Sequence, residues 1–170
     1  MRKPASLRAA IAAVFPALAR DPDRLRIWID SGRIAARYGP TPGWEYRYKL
    51  SVLLLDWKDS TDPLLLAIVG WLQTEQPDLL QNHERGNEAV KFRADILDDA
   101  TIDLQFDLEL TETVGCTPRE GGGFDLINQP EPSPEDPGFL GLDPIVPLSS
   151  IWIDGEQLVP APDLDPPLGD

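Results

Sequence analysis

Cysteine, histidine and methionine each occur once in this chain of 170 residues. Cys116 has no second thiol to pair with, so an internal disulfide is excluded and a reducing compartment suits the chain. His83 sits in the polar stretch QNHERGNE and reads as a solvated side chain. With no second histidine and no cysteine cluster, zinc coordination is not expected. Long hydrophobic runs are also missing. The longest uncharged apolar run, Pro63 to Thr74, is too short to span a bilayer. The first stretch does not read as a secretory signal, because Arg8 interrupts its apolar residues and Arg20 ends them.

Positive charge is scarce. Lys and Arg number 15 against 29 Asp and Glu, a formal charge of −14. Phosphate contacts need a basic surface, so sequence-specific nucleic-acid binding and membrane-surface binding are not expected. An acidic wall past which DNA slides is compatible with this charge.

Catalytic signatures are absent as well. No GxxxxGK[ST] occurs, and Gly121-Gly122-Gly123 lacks a following lysine, so no nucleotide cofactor is expected. Asp98, Asp99, Asp103, Asp107 and Glu109 invite a magnesium or calcium reading. However, Asp103, Asp107 and Glu109 alternate along one strand face, where Lys91 and Arg93 neutralise them. A solvated or interface face is the better reading. Trp44, Tyr46 and Tyr48 have the spacing of a base-stacking platform and equally that of core residues; the acidic chain favours core or protein interface. Nothing here points to an enzyme, a metal or a cofactor.

What is present divides the chain in two. Residues 1–116 hold 14 basic and 18 acidic residues, a balance of −4, whereas residues 117–170 hold 1 and 11, a balance of −10. The second part also holds 11 of the 18 prolines. A domain over 1–116 and an acidic Pro/Gly-rich extension over 117–170 are therefore expected, with Gly121 to Gly123 as hinge. Within the extension, Asp154-Gly155 between IWI and EQLV signals a hairpin over 151–159. Its Trp152 is expected to dock on a neighbouring surface.

In the first part, Ser6 is expected to cap a helix whose stripe is Leu7, Ile11, Val14, Phe15 and Leu18, with Pro16 bending or ending it. Leu25 to Ile29 and Arg33 to Arg37 read as two strands joined by a turn at Asp30-Ser31-Gly32. Trp44 to Leu55 reads as one long strand, half exposed at its start and buried on both faces at its end. Asp62-Pro63 starts a helix reaching about Gln76. This helix is apolar nearly all round, Trp71 included, which places it centrally in the core or against a partner. Val90 to Leu97 and Ile102 to Thr113 alternate strictly and form a hairpin around Asp98-Asp99. Ile96 is expected opposite Ile102, Phe92 opposite Phe106, and Lys91 opposite Asp107 on the solvent face. The fold class is α+β: an antiparallel sheet of four to five strands, packed by an N-terminal helix and one long apolar helix, with an extended Pro-rich C-terminal tail.

Three groups of residues carry a resemblance. They are DPDRL with IDSGRI, the element with Trp71, Leu72, Gln76, Pro77, Leu79 and Leu80, and ADILDDATIDL continuing to Glu112. In this order they resemble the phage tail completion protein R family of P-two-like contractile-tailed phages, across about residues 5 to 114. The resemblance implies a structural tail terminator: a homo-oligomeric ring, hexameric as in terminators of the lambda type, that caps the head-proximal end of the tail tube. Its implied partners are copies of itself, the tail tube protein, the sheath protein and the neck or head connector protein. Phage DNA would pass through the ring. The implied location is the virion, after assembly in the host cytoplasm. A neck or head-tail connector component and a transient tail assembly chaperone are the alternatives. The family brings no catalytic residues. As subunit contacts, Arg33, Arg37, Arg47 and Lys49 are expected to meet Asp103, Asp107 and Glu109 of a neighbour, with Trp71 and Trp152 as apolar contacts.

Overall fold

The computed structural model describes residues 1–36, 38–39, 41–81, 86–97 and 101–131, and the backbone of 151–153 and 156–159. Arg37, His83, the Asp98-Asp99 turn, the Asp154-Gly155 turn and residues 132–150 lie outside the described residues.

Helix α1 spans Lys3–Val14 with Pro4 in its first turn, where a missing N–H is no loss. Ser6 is not its cap. It lies inside the helix, and its Oγ donates to Glu75 at 3.1 Å and accepts from Trp71 Nε1 at 3.0 Å, which ties two helices together. Pro16 cannot continue α1, and a short helix α2, Pro16–Arg20, restarts there. Leu7, Ile11 and Leu18 of the expected stripe are buried.

The strand after α2 corrects the expected hairpin. β1 is one element, Leu25–Ala36, and pairs along β2, Gly43–Trp57, over its whole length. Asp30 is the extra residue of a bulge between Ile29↔Leu50 and Ser31↔Lys49. A long partner strand gives every residue of β1 except Asp30 a ladder position, which a tight turn at Asp30-Ser31-Gly32 would forfeit. Gly32 is needed for close approach, since a Cβ there would lie 3.1 Å from Tyr48 Cβ.

β2 ends in a second irregularity at Asp56, whose φ of 50° is left-handed. Arg24 donates to the carbonyls of Leu55 at 3.3 Å and Asp56 at 2.7 Å, and Asp56 N–H donates to Asp103 Oδ1 at 3.0 Å. These bonds hold the corner that sends the chain into α3, Asp62–Glu75, followed by α4, Pro77–Gln81. α3 buries Leu64, Ala67, Ile68, Trp71 and Leu72 and leaves Leu66 and Val69 exposed.

β3, Val90–Ile96, and β4, Ile102–Pro118, pair in the expected register: Ile96↔Ile102, Phe92↔Phe106, Lys91↔Asp107. The strand order is β1-β2-β4-β3, all neighbours antiparallel. β4 runs past residue 116, and β5, Phe124–Asn128, folds back onto its far end. Gly121, Gly122 and Gly123, at φ of 87°, 98° and 94°, make the turn between them; only glycine adopts this at little strain.

The core lies between the helices and one face of the sheet. Leu50, Val52 and Leu54 of β2 and Leu104, Phe106, Leu108 and Leu110 of β4 meet Leu7, Ile11, Leu64, Ile68 and Leu72. Full burial of such a side chain contributes about 1.5–3 kcal/mol each. Phe15 packs edge-on against Trp57 with ring centres 4.8 Å apart. β6, Ile151–Ile153, and β7, Glu156–Val159, form a separate two-stranded sheet.

Candidate assembly surface

The sheet face away from the helices carries most of the charged side chains expected at subunit contacts. Its centre is Asp107. That carboxylate accepts from Ser51 Oγ at 2.8 Å and Gln105 Nε2 at 3.0 Å. Lys49 Nζ and Arg93 Nη2 stand 3.0 and 3.1 Å away. Burial alone would raise the Asp107 pKa, but these four donors outweigh it and hold the carboxyl well below the usual range. Lys49 is raised by the same hydrogen bond, with Asp30 adding to it at 3.7 Å. The cluster is saturated within the chain, so Lys49 and Asp107 have little left to offer a neighbour.

The other expected contacts divide. Arg47 makes a two-pronged bond to Glu45 at 2.6 and 3.2 Å. Arg33 stands opposite Arg47 in the ladder and makes no ion pair among the described residues. Glu109 stands opposite Lys49 and is exposed; Asp103 accepts from the Asp56 backbone. Trp71 is corrected outright: at 6% exposure it is a core residue bonded to Ser6, because the helix turns its most apolar side inward. Trp152 lies in β6, where only the backbone is described.

A buried polar junction escaped the sequence reading. β3 covers β4 up to Leu108 and β5 resumes at Val114 on the same side, which leaves a gap in the ladder. Gln76 fills it. Its Oε1 accepts from Thr111 N–H at 3.0 Å and from Lys3 Nζ at 2.7 Å. Its Nε2 donates to Thr111 Oγ1 at 3.0 Å and Asp78 Oδ1 at 2.5 Å. Lys3 Nζ also donates to Glu131 Oε1 at 2.6 Å. Beside it, Glu112 accepts from Tyr48 Oη and from Arg2 N–H, the latter at 2.6 Å. Burial and that bond to Glu112 push the Tyr48 phenol far above its usual value. The sequence signal was Glu112, a charged residue at an apolar position of β4.

Apolar side chains are exposed at both outer strands. Phe92 and Ile96 on β3 are 68% and 76% exposed, and Leu97 beside them is exposed. On β1, Trp28, Ile29 and Ile34 are exposed; on β5, Phe124, Leu126 and Ile127. The expected core position of Phe92 and Ile96 is thereby corrected: they point to the helix face, but the helices do not extend over them. Among the described residues no His, Cys, Asp and Glu cluster of three or more is arranged to hold a metal, and no helix is long and apolar enough to cross a membrane.

Residues 1–132 match the family described as P2 phage tail completion protein R (GpR). Tail completion protein R of Escherichia phage P2 is 34% identical over 137 residues, which covers 81% of this chain and 88% of that protein. No solved structure matches the chain.

Proposed function

The chain belongs to the phage tail completion protein R family, structural tail proteins rather than enzymes, and from that premise we propose that it is the terminator of a contractile tail. Its role is in completing the tail. It caps the head-proximal end of the tube, stops growth of tube and sheath, and presents a surface to the neck or head connector protein. Copies join head to tail into a closed ring, six-fold as in the terminators of the lambda type, through which DNA passes. Its location is then the head-proximal end of the virion tail, reached after assembly in the host cytoplasm.

The observation that carries this reading is the pair of exposed apolar edges. β3 offers Phe92 and Ile96, with Leu97 just after it, at one side of the sheet, and β1 offers Trp28, Ile29 and Ile34 at the other. Different patches at opposite sides suit a heterologous contact, which closes into a ring when the rotation allows. Isolated monomers seldom leave such residues bare in groups. With Lys49, Arg47 and Asp107 engaged inside the chain, charge has little left for a neighbour, and the apolar edges contribute the affinity. A net charge of −14 suits a ring past which DNA slides without being held.

Removing the gene from its phage and measuring tails by electron microscopy tests the role. The expected result is tubes of uncontrolled length and heads without tails, restored by the gene supplied in trans. Tubes of normal length on joined particles would overturn it.

A further inference from the structure

β1 and β3 are the outer strands of the main sheet, and among the described residues no strand pairs with the outer edge of either. Bare edges invite pairing with another chain, and proteins commonly block them with proline or lysine. β1 runs for 12 residues and contains neither.

The hydrogen bonds identify the residues that own these edges. Leu97 N–H donates to the Thr101 carbonyl at 3.0 Å, so the odd residues of β3 turn their backbone groups toward β4. Phe92, Ala94 and Ile96 therefore turn theirs outward. On β4, Thr111 N–H and the Thr113 carbonyl bond on the side of β3 and β5, at 3.0 and 2.9 Å. The even residues of β4 thus bond β2, the odd residues of β2 bond β1, and Gly32, Ile34 and Ala36 are left turned outward. On both edges the outward backbone groups belong to residues on the helix face of the sheet.

All neighbouring strands are antiparallel, so in this four-strand order β1 and β3 run in opposite directions. A neighbouring copy turned about a ring axis sets its β1 antiparallel to this β3, with the helix faces continuous. Within one chain β2 and β4 lie between the two edges, so the partner edge has to come from a second copy.

One register suits both faces. With Ile96 opposite Gly32, Ala94 falls opposite Ile34 and Phe92 opposite Ala36. Ile96 then fills the hollow of about 440 Å³ over Gly32, which Ile29, Ile34 and Tyr46 wall on the helix face. On the other face Asp95 falls opposite Arg33. Both are exposed, and neither makes an ion pair among the described residues. Each also faces a like charge in its own sheet, Asp95 at Asp103 and Arg33 at Arg47. Like charges directly opposite are unfavourable, and the seam places the acidic pair beside the basic pair. We propose that β3 of one copy pairs with β1 of the next in this register, joining the sheets edge to edge. This rests on the ring reading for the presence of neighbours.

The test uses full-length chains with Cys116→Ser. Asp95 and Arg33 would form a pair without backbone bonds between them, whose Cα atoms approach to about 4.5 Å, within reach of a disulfide. One variant carries Asp95→Cys and another Arg33→Cys. Mixed under mild oxidation, they should yield a disulfide joining the two unlike chains. A disulfide formed by either variant alone would overturn the proposal in favour of pairing between like edges. Independently, Asp95→Arg should weaken assembly about tenfold, and adding Arg33→Asp to the same chain should restore it. Native mass of the same samples separates the two readings. Rings without the disulfide overturn the seam alone. Linked pairs that never close support the seam and overturn the ring reading. Monomers without linkage overturn both.

Discussion

β2 and β3 flank β4 and carry the same alternation, yet they meet different fates. Val52 and Phe92 both pair with Phe106, one from each side, on the same face of the sheet. Val52 is fully buried and Phe106 nearly so, whereas Phe92 is 68% exposed. Alternation decides which face a side chain takes; the width of the helical layer decides whether that face is covered. α1 and α3 cover β2 and β4 and stop short of the outer side of β3. An apolar residue kept there does little for the lone chain, which points to a partner.

The sharpest way to break this comparison is to truncate both phenylalanines. Phe106→Ala should cost about 3–5 kcal/mol by chemical denaturation. Phe92→Ala should cost under about 1 kcal/mol in the monomer and instead weaken oligomers, read by sedimentation. Equal losses in the monomer would place Phe92 in the core.

Gln76→Ala comes next. It strands the Thr111 N–H in a buried site, leaves Lys3 Nζ with Glu131 alone, and should cost about 1–3 kcal/mol. Gln105→Ala on the outer face removes one of the four donors to Asp107 and should cost less, about 0.5–1.5 kcal/mol.

Acid denaturation sharpens the contrast between the faces. The folded Asp107 carboxyl lies below its unfolded value of about 3.9. Its stabilisation is therefore present above that pH and is lost as pH falls below it. Asp107→Asn should flatten the stability profile below about pH 4 and lower stability near neutrality. A profile unchanged by the substitution would remove the cluster from the account. The smallest effect belongs to Arg47→Ala, whose exposed pair with Glu45 is screened by solvent and should leave the denaturation midpoint nearly unmoved.

Much of this was legible in the sequence. Strict alternation around Asp98-Asp99 gave the β3–β4 register, because facing residues must share a face. Asp62-Pro63 and the apolar run marked α3. The misreadings have physical causes. Asp30-Ser31-Gly32 has turn composition, but the length of β2 makes pairing through a bulge the better use of its backbone. Gly121 to Gly123 looked like a hinge and proved to be a turn within the sheet. Ser6 looked like a cap and instead bridges helices. The Gln76 plug joins residues 35 apart through a side chain, which no local pattern encodes. Trp71 was misplaced because an apolar helix does not reveal which of its sides faces inward.

The most direct test of the terminator claim is to label this protein in assembled particles and locate the label by electron microscopy. One ring of label per particle is expected at the head-proximal end of the tube. Mature particles without label, from a phage that still needs the protein to form them, would contradict it and make the protein an assembly chaperone.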